Sequence, residues 1–288
     1  MSAYQIVTDS CCDLTKAQYA SLNVTYVPLT LLYKGQTLDS FTEEADLHDF
    51  YNGIREGEMP TTAAANPDAW ARAMKPALKE GKDILCLTFT SALSTTYQSA
   101  VIAAEDLKES YPDRKIIVID SLCAALGQGL LLMHACKRRD QGMGLEELAA
   151  WLEENRHHLA HWVTVDDLNH LKRGGRVSAT TAFVGGMLNI KPIIHVDLEG
   201  RLQTVSKARG RKAAMEYIVR KVAEGEAWDN EMITIGHGDC KEDAETLADM
   251  IRAKCPWVKQ IHIGYVGGVI GAHTGPGVLV AFFLAQEK

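Results

Sequence analysis

The chain lacks most of the local signatures that mark a catalytic centre. It has no C-x-x-C pair, no G-x-x-x-x-G-K-[ST] loop, no G-x-S-x-G elbow, no H-E-x-x-H pair and no EF-hand loop. These absences argue against thioredoxin-like or zinc-ribbon cysteines, a P-loop nucleotide site, an α/β-hydrolase serine, a zincin and a calcium hand. Long apolar runs are missing too: the longest, Val278 to Ala285, falls well short of the roughly 20 residues that a spanning helix needs, so no stable membrane insertion is expected. The first residues, Met1-Ser2-Ala3-Tyr4, carry neither a basic n-region nor an apolar h-region, and no signal peptide is expected. Positive charge is in deficit, with a net charge of −7 and a pI near 5.8, which disfavours nucleic acid or an anionic membrane as main partner. The seven cysteines are odd in number and scattered, the pattern of reduced thiols in a cytoplasmic protein.

At roughly 150 residues per domain, a chain of 288 residues is expected to form two domains, which we place at 1–157 and 158–288. The first half alternates strand and helix. Strands are expected at Tyr4 to Thr8, Val24 to Tyr33, Ile84 to Phe89 and Lys115 to Ile119. Helices are expected from Leu14, capped by Asp13, over Thr42 to Arg55, up to Glu109, up to Arg139 and over Glu146 to His157. That order predicts βαβ units and a parallel sheet. In the second half, Trp162 to Val165 reads as a strand, Lys191 to Val196 pairs with Leu202 to Ser206 around Glu199-Gly200, and Lys212 to Glu224 is helical. Met232 to His237, Lys241 to Lys254 and Gln260 to Tyr265 follow as strand, helix and strand, while Gly277 to Ala285 fits helix or strand. The fold class is therefore α/β, with an N-terminal parallel-sheet domain and a C-terminal α+β domain whose sheet is mixed or antiparallel.

Four segments stand out chemically. Thr90-Ser91-Ala92-Leu93-Ser94-Thr95-Thr96 links a buried strand to a helix start and holds five hydroxyls in seven residues. Free N–H groups and the dipole at a helix start favour an anion, whereas ordinary capping needs one hydroxyl. Pro60 to Pro67 brackets a short polar loop around Thr62, and its plain alternative is a surface helix start. Gly271 to Gly277 sets His273 among glycines, where backbone can approach a ligand closely; the plain alternative is a satisfied polar residue. Leu171-Lys172-Arg173-Gly174-Gly175-Arg176 is basic and bent, suited to phosphate or an acidic partner, or else a solvated turn. His157 and His161, four apart, fit one helix face; without further ligands they read as solvated surface, and no metal is expected.

Together these segments resemble the DegV family of bacterial proteins, from Ile6-Val7-Thr8-Asp9-Ser10 almost to the C-terminus. Phe89 to Ala100 is similar to the family's S-S-x-L-S-G-T-Y-Q-S-A stretch, Leu171 to Val177 to L-x-x-G-G-R-I, Asn189 to Ile194 to N-I-K-P-I-L, Lys207 to Lys212 to K-x-R-G-R-K, and His273 to Gly277 to H-x-G-P-G. The resemblance implies a carrier without catalytic residues or a cofactor that holds one long-chain fatty acid between two α/β domains. It further implies a separate ATP-dependent fatty acid kinase that converts the ligand to acyl-phosphate for phospholipid synthesis. It assigns the ligand to Thr62, Ser94, Thr95, His273 and Gly275, and the kinase-facing side to Arg173 and Arg209. The chain departs from the family pattern at Ala63, Ala64 and Ala65, where Ser, Gln and Pro are usual, and at Thr95, where Gly is common. Two other readings stay open: a binder of another anionic amphiphile or phosphate using Lys172, Arg173 and Lys207, and a hydrolase in which His273 activates Ser94.

Overall fold

The computed structural model describes residues 4–40, 43–177, 189–286 and 288. Three sheets organise it. The first is parallel, in the order β2-β1-β6-β7, from strands Tyr4–Asp9 (β1), Thr25–Val27 (β2), Asp83–Thr88 (β6) and Ile116–Asp120 (β7). Helices Lys16–Ser21 (α1), Pro67–Lys79 (α3), Thr96–Ser110 (α4), Ala125–Asp140 (α5) and Leu145–Asn155 (α6) accompany it. Every residue of β6 is buried, as expected of a strand covered on both faces. A small antiparallel sheet, β4-β3-β5, is made from Thr30–Tyr33 (β3), Gln36–Asp39 (β4) and Thr61–Ala63 (β5), with helix Glu44–Arg55 (α2) beside it.

The third sheet has six strands in the order β10-β9-β8-β13-β11-β12: Leu159–Thr164 (β8), Ile190–Val196 (β9), Leu202–Arg209 (β10), Met232–His237 (β11), Gln260–Tyr265 (β12) and Leu279–Leu284 (β13). All its pairings are antiparallel except β11 with β12, so it is mixed. Helices Arg211–Ala223 (α8) and Lys241–Lys254 (α9) pack on one face. The short helices Asn169–Arg173 (α7) and Gly268–Thr274 (α10) lie against each other. Between the first and third sheets runs α5, buried at nearly every position from Ala125 to Cys136. Its leucines join one hydrophobic core that takes in Ile6 and Leu85 on one side and Val280 and Phe282 on the other. A helix apolar on all sides has to be enclosed. Gly127 makes that possible, because a Cβ there would sit 2.4 Å from the His161 ring.

Several local expectations are corrected. Asp13 does not cap a helix from Leu14: it is buried in the left-handed region at φ 54°, and Thr15 caps α1 through a capping box with Gln18. The stretch Val24 to Tyr33 is two strands in different sheets, interrupted around Pro28. The Pro60 to Pro67 segment is both strand and helix start: Thr61–Ala63 is β5, and Asn66 caps α3 at Pro67. The start expected at Thr42 lies outside the described residues, where α2 is seen from Glu44. The strand expected from Trp162 begins at Leu159, so His161 is on a strand and cannot share a helix face with His157. His161 is also buried, not solvated. Gly277 to Ala285 resolves to strand β13.

Candidate functional site

A cavity of about 440 Å³ lies between the parallel sheet and the six-stranded sheet, within the range of small-molecule sites. Most of its wall is apolar, with Phe89, Val163, Leu171, Val266, Val280 and Phe282 prominent. His161 also lines it but offers no free polar atom. Its Nδ1 bonds the Leu159 carbonyl at 2.9 Å and its Nε2 accepts the Ala124 N–H at 3.1 Å. Burial drives its pKa down to about 3, so it is a neutral aromatic wall.

The polar groups gather where β5, the 90–96 loop and α10 meet. The loop is pinned by carboxylates at the ends of neighbouring strands: Asp9 Oδ2 accepts Phe89 N–H at 2.7 Å, and Asp120 Oδ1 accepts Ser91 N–H at 3.2 Å. Thr90 and Thr96 are fully buried; Thr90 donates to the Gly200 carbonyl, 3.2 Å away, and Thr96 Oγ1 lies 2.8 Å from Ser94 Oγ. The other three hydroxyls, Ser91, Ser94 and Thr95, reach the cavity. Ser94 Oγ accepts the Thr96 N–H at 3.2 Å. When Thr96 Oγ1 donates to it as well, its own proton is left to point into the cavity.

Opposite the loop, Thr62 on β5 meets His273 on α10, with Oγ1 and Nε2 2.7 Å apart. Burial, then the charges of Arg176 and Arg173, lower the His273 pKa to about 4, which keeps the ring neutral at physiological pH. The α7 turn fits closely around α10. A Cβ on Gly174 would lie 2.3 Å from His273 Nδ1, and one on Gly275 2.4 Å from the His170 ring. The buried carboxyl of Asp13 lies near the Gly267 N–H at the start of α10, and burial pushes it well above the usual carboxylate range.

The structure thus brings Thr62, Ser94, Thr95 and His273 to one cavity. Gly275 does not line it; at φ 72° it ends α10 and seats His170. Arg173 is exposed beside the site and donates through Nη2 to His170 Nδ1 at 2.9 Å. Arg209 is exposed at the end of β10 and is not among the lining residues. Arg176, Ser91, Gln98 and His161 line the cavity without having been singled out as site residues. Arg176 had a visible signal, since it follows the Gly174-Gly175 bend and the reversed chain turns it inward. Its Nε donates to the Leu93 carbonyl at 3.2 Å and its Nη1 to the Gly174 carbonyl at 2.5 Å.

The nucleophile–base pair of the hydrolase reading is not formed: Ser94 bonds with Thr96, and His273 with Thr62. Among the described residues, no group of three or more His, Cys, Asp or Glu could hold a metal ion, and no helix is long and apolar enough to cross a membrane.

A family model described as "Uncharacterised protein, DegV family" matches residues 3–286. The chain is 44% identical over 290 residues to a DegV domain-containing protein of Clostridium perfringens, covering 100% of this chain and 99% of that one. Among solved structures it is similar to a fatty-acid-binding DegV family protein from Thermus thermophilus, at a TM-score of 0.87 and 31% identity over 99% of this chain and 100% of that one. It is also similar to the Streptococcus pneumoniae Fatty Acid Kinase (Fak) B3 protein loaded with linoleic acid, at a TM-score of 0.84 and 25% identity over 99% and 100% of the two chains.

Proposed function

The chain belongs to the DegV family, and on that premise we propose that it binds one long-chain fatty acid and presents the carboxylate to a separate ATP-dependent fatty acid kinase in the cytoplasm. The observation that carries this reading is an apolar-walled cavity of about 440 Å³ in which the hydroxyls of Thr62, Ser94 and Thr95 gather with the neutral His273, and which Arg176 also lines. Thr62, Ser94 and Thr95 would hold the carboxylate, with His273 orienting Thr62. In the tautomer where His273 Nε2–H donates to Thr62 Oγ1, the threonine proton is released to donate to the ligand. Gly275 would act through His170, and the exposed Arg173 and Arg209 would face the kinase.

Magnitudes divide the labour. Each hydrogen bond to a charged group contributes roughly 1.5–3 kcal/mol, enough to orient a head group. Burying about 15 methylenes at about 0.8 kcal/mol each contributes on the order of 12 kcal/mol before association and ordering costs. The tail sets affinity and the hydroxyls set orientation. A carboxylate held mainly by hydroxyls keeps its nucleophilic oxygen available to a phosphoryl donor.

Solvent extraction of the purified protein followed by mass spectrometry should yield one fatty acid per chain. Ser94→Ala should then lower kinase-dependent phosphorylation of the bound ligand more than it lowers occupancy. An empty protein that refuses added fatty acids would sink the binding reading. Unchanged turnover in Ser94→Ala would sink the role given to that serine.

A further inference from the structure

The outer face of α2 meets a carboxylate from the other half of the chain. Asp239 follows β11 in the left-handed region, at φ 54°, with only 10% of its side chain exposed. Its Oδ1 lies 2.9 Å from His48 Nδ1 and accepts the Tyr265 hydroxyl at 3.1 Å. Its Oδ2 accepts Arg55 Nη1, and its carbonyl accepts Arg55 Nη2 at 3.0 Å. Asn52 ties the two α2 residues together: it accepts Arg55 Nη1 at 2.8 Å, and its Nδ2 lies 3.1 Å from His48 Nε2. The inner face of α2 packs the opposite way. Phe50 and Tyr51 share a cluster with Leu31 of β3 and Ala272 of α10, and Tyr51 donates to the Val266 carbonyl at 2.8 Å. A Cβ on Gly271 would lie 2.5 Å from the Tyr51 hydroxyl, so α10 approaches α2 as closely as a glycine allows.

Two members of that cluster adjoin the head-group site. Leu31 stands opposite Thr62 in the register of β3 and β5, and Ala272 immediately precedes His273. Each partner of the Thr62–His273 bond is thus one step from α2, whose position sets their 2.7 Å spacing. We propose that Asp239 is a positioning residue for fatty-acid binding: by clamping α2 to the six-stranded sheet through His48 and Arg55, it holds Thr62 against His273 and thereby fixes the carboxylate of the ligand. This rests on the fatty-acid reading above. The clamp also makes the site respond to pH. His48 is exposed, and its hydrogen bond to Asp239 raises its pKa. Its ionic share of the clamp is therefore complete at acidic pH and is lost as pH rises through that raised pKa. Arg55 then holds the carboxylate alone. The other charged or titratable groups around His48 are Asp49 and Glu44 on α2, Lys241 paired with Glu44, and Tyr265 on β12. His237, 4.3 Å from the Tyr265 ring, is kept neutral by burial, with its pKa lowered to about 4.

The test uses palmitate labelled with carbon-13 at its carboxyl, bound to the full chain and observed by NMR, with its release rate measured by transfer to albumin. Asparagine tolerates left-handed backbone as aspartate does, so Asp239→Asn removes the charge and keeps the shape. It should displace or broaden the carboxyl resonance and quicken release several-fold, a part of the roughly 10-fold that a whole charged hydrogen bond is worth. Arg55→Gln should do the same, and Arg55→Lys should restore part of the wild-type signal. Raising the pH from about 6 to about 9 should quicken release from the wild type more than from His48→Gln. If Asp239→Asn does not fold, the exposed Arg55→Gln decides. A folded Asp239→Asn, or failing that Arg55→Gln, with the wild-type resonance and release rate overturns the clamp and leaves the fatty-acid reading standing. Identical pH profiles for the wild type and His48→Gln overturn the pH response. A wild type that binds no palmitate overturns the clamp and the fatty-acid reading together.

Discussion

Gly174 and Gly175 are neighbours, yet the structure requires glycine at each for a different reason, and substitution by alanine separates the two. Gly174 has φ −70°, a conformation open to any residue, so its requirement is purely steric. A Cβ there would lie 2.3 Å from His273 Nδ1, against ordinary contact from 3.4 Å, so the ring or the turn has to yield by roughly 1 Å. The Thr62–His273 bond is already 2.7 Å and has no slack for such a movement. Gly174→Ala should therefore cost about 1–3 kcal/mol of stability through overpacking. It should also weaken palmitate binding roughly 10- to 100-fold, the equivalent of one charged hydrogen bond. Gly175 sits at φ 70° with nothing within 4 Å of its would-be Cβ. Gly175→Ala should cost about 1–2 kcal/mol of backbone strain and leave palmitate affinity within about twofold. Urea unfolding and calorimetric palmitate titration of both variants give the comparison. Wild-type palmitate affinity in a folded Gly174→Ala, or an equal loss in Gly175→Ala, would refute the steric argument.

Other expectations concern the carboxylates beneath the loop and the depth of the cavity. Burial raises the Asp9 pKa to about 6. Between about pH 4 and pH 6 the folded chain therefore keeps a proton that the unfolded chain has already lost, and this residue's contribution to stability falls as pH rises. At roughly 1.4 kcal/mol per pH unit, the stability of wild type relative to Asp9→Asn should drop by about 2 kcal/mol from pH 4 to pH 7; parallel profiles in urea would show that Asp9 is not so perturbed. Val163 lines the cavity on β8, and Val163→Phe should shift the co-purified fatty acids toward shorter chains by mass spectrometry. An unchanged chain profile would place the tail elsewhere.

The parts of this structure legible in the sequence are those that local chemistry decides. The uniformly apolar runs at β6 and β13 marked enclosed segments, although for β13 the period alone could not separate strand from helix. The surplus hydroxyls at 90–96 pointed to an anion site, and three of them do reach the cavity. What stayed hidden depends on distant partners. Thr61–Ala63 is a strand because it pairs with β3, some thirty residues earlier. Asp13 is buried near the distant Gly267 rather than spent on the helix beside it. His161 looked like a surface histidine because nothing near it in sequence announces Ala124 and Phe282 as its neighbours. Arg176 belonged to a segment read only as a basic bend, and its place against Leu93 emerges only when the two sheets are brought together.

Because the leucines of α5 are shared between two sheets, the division of the chain into topological halves is not a division of its stability. Separating the sheets would bare the α5 leucines that both of them use, although the C-terminal half keeps a second core of its own under α8 and α9, between Ala160 and Ala285. The apolar slot for the ligand is thus a residual gap beside the one cluster that both sheets share, and loosening that cluster loosens the cavity walls on both sides.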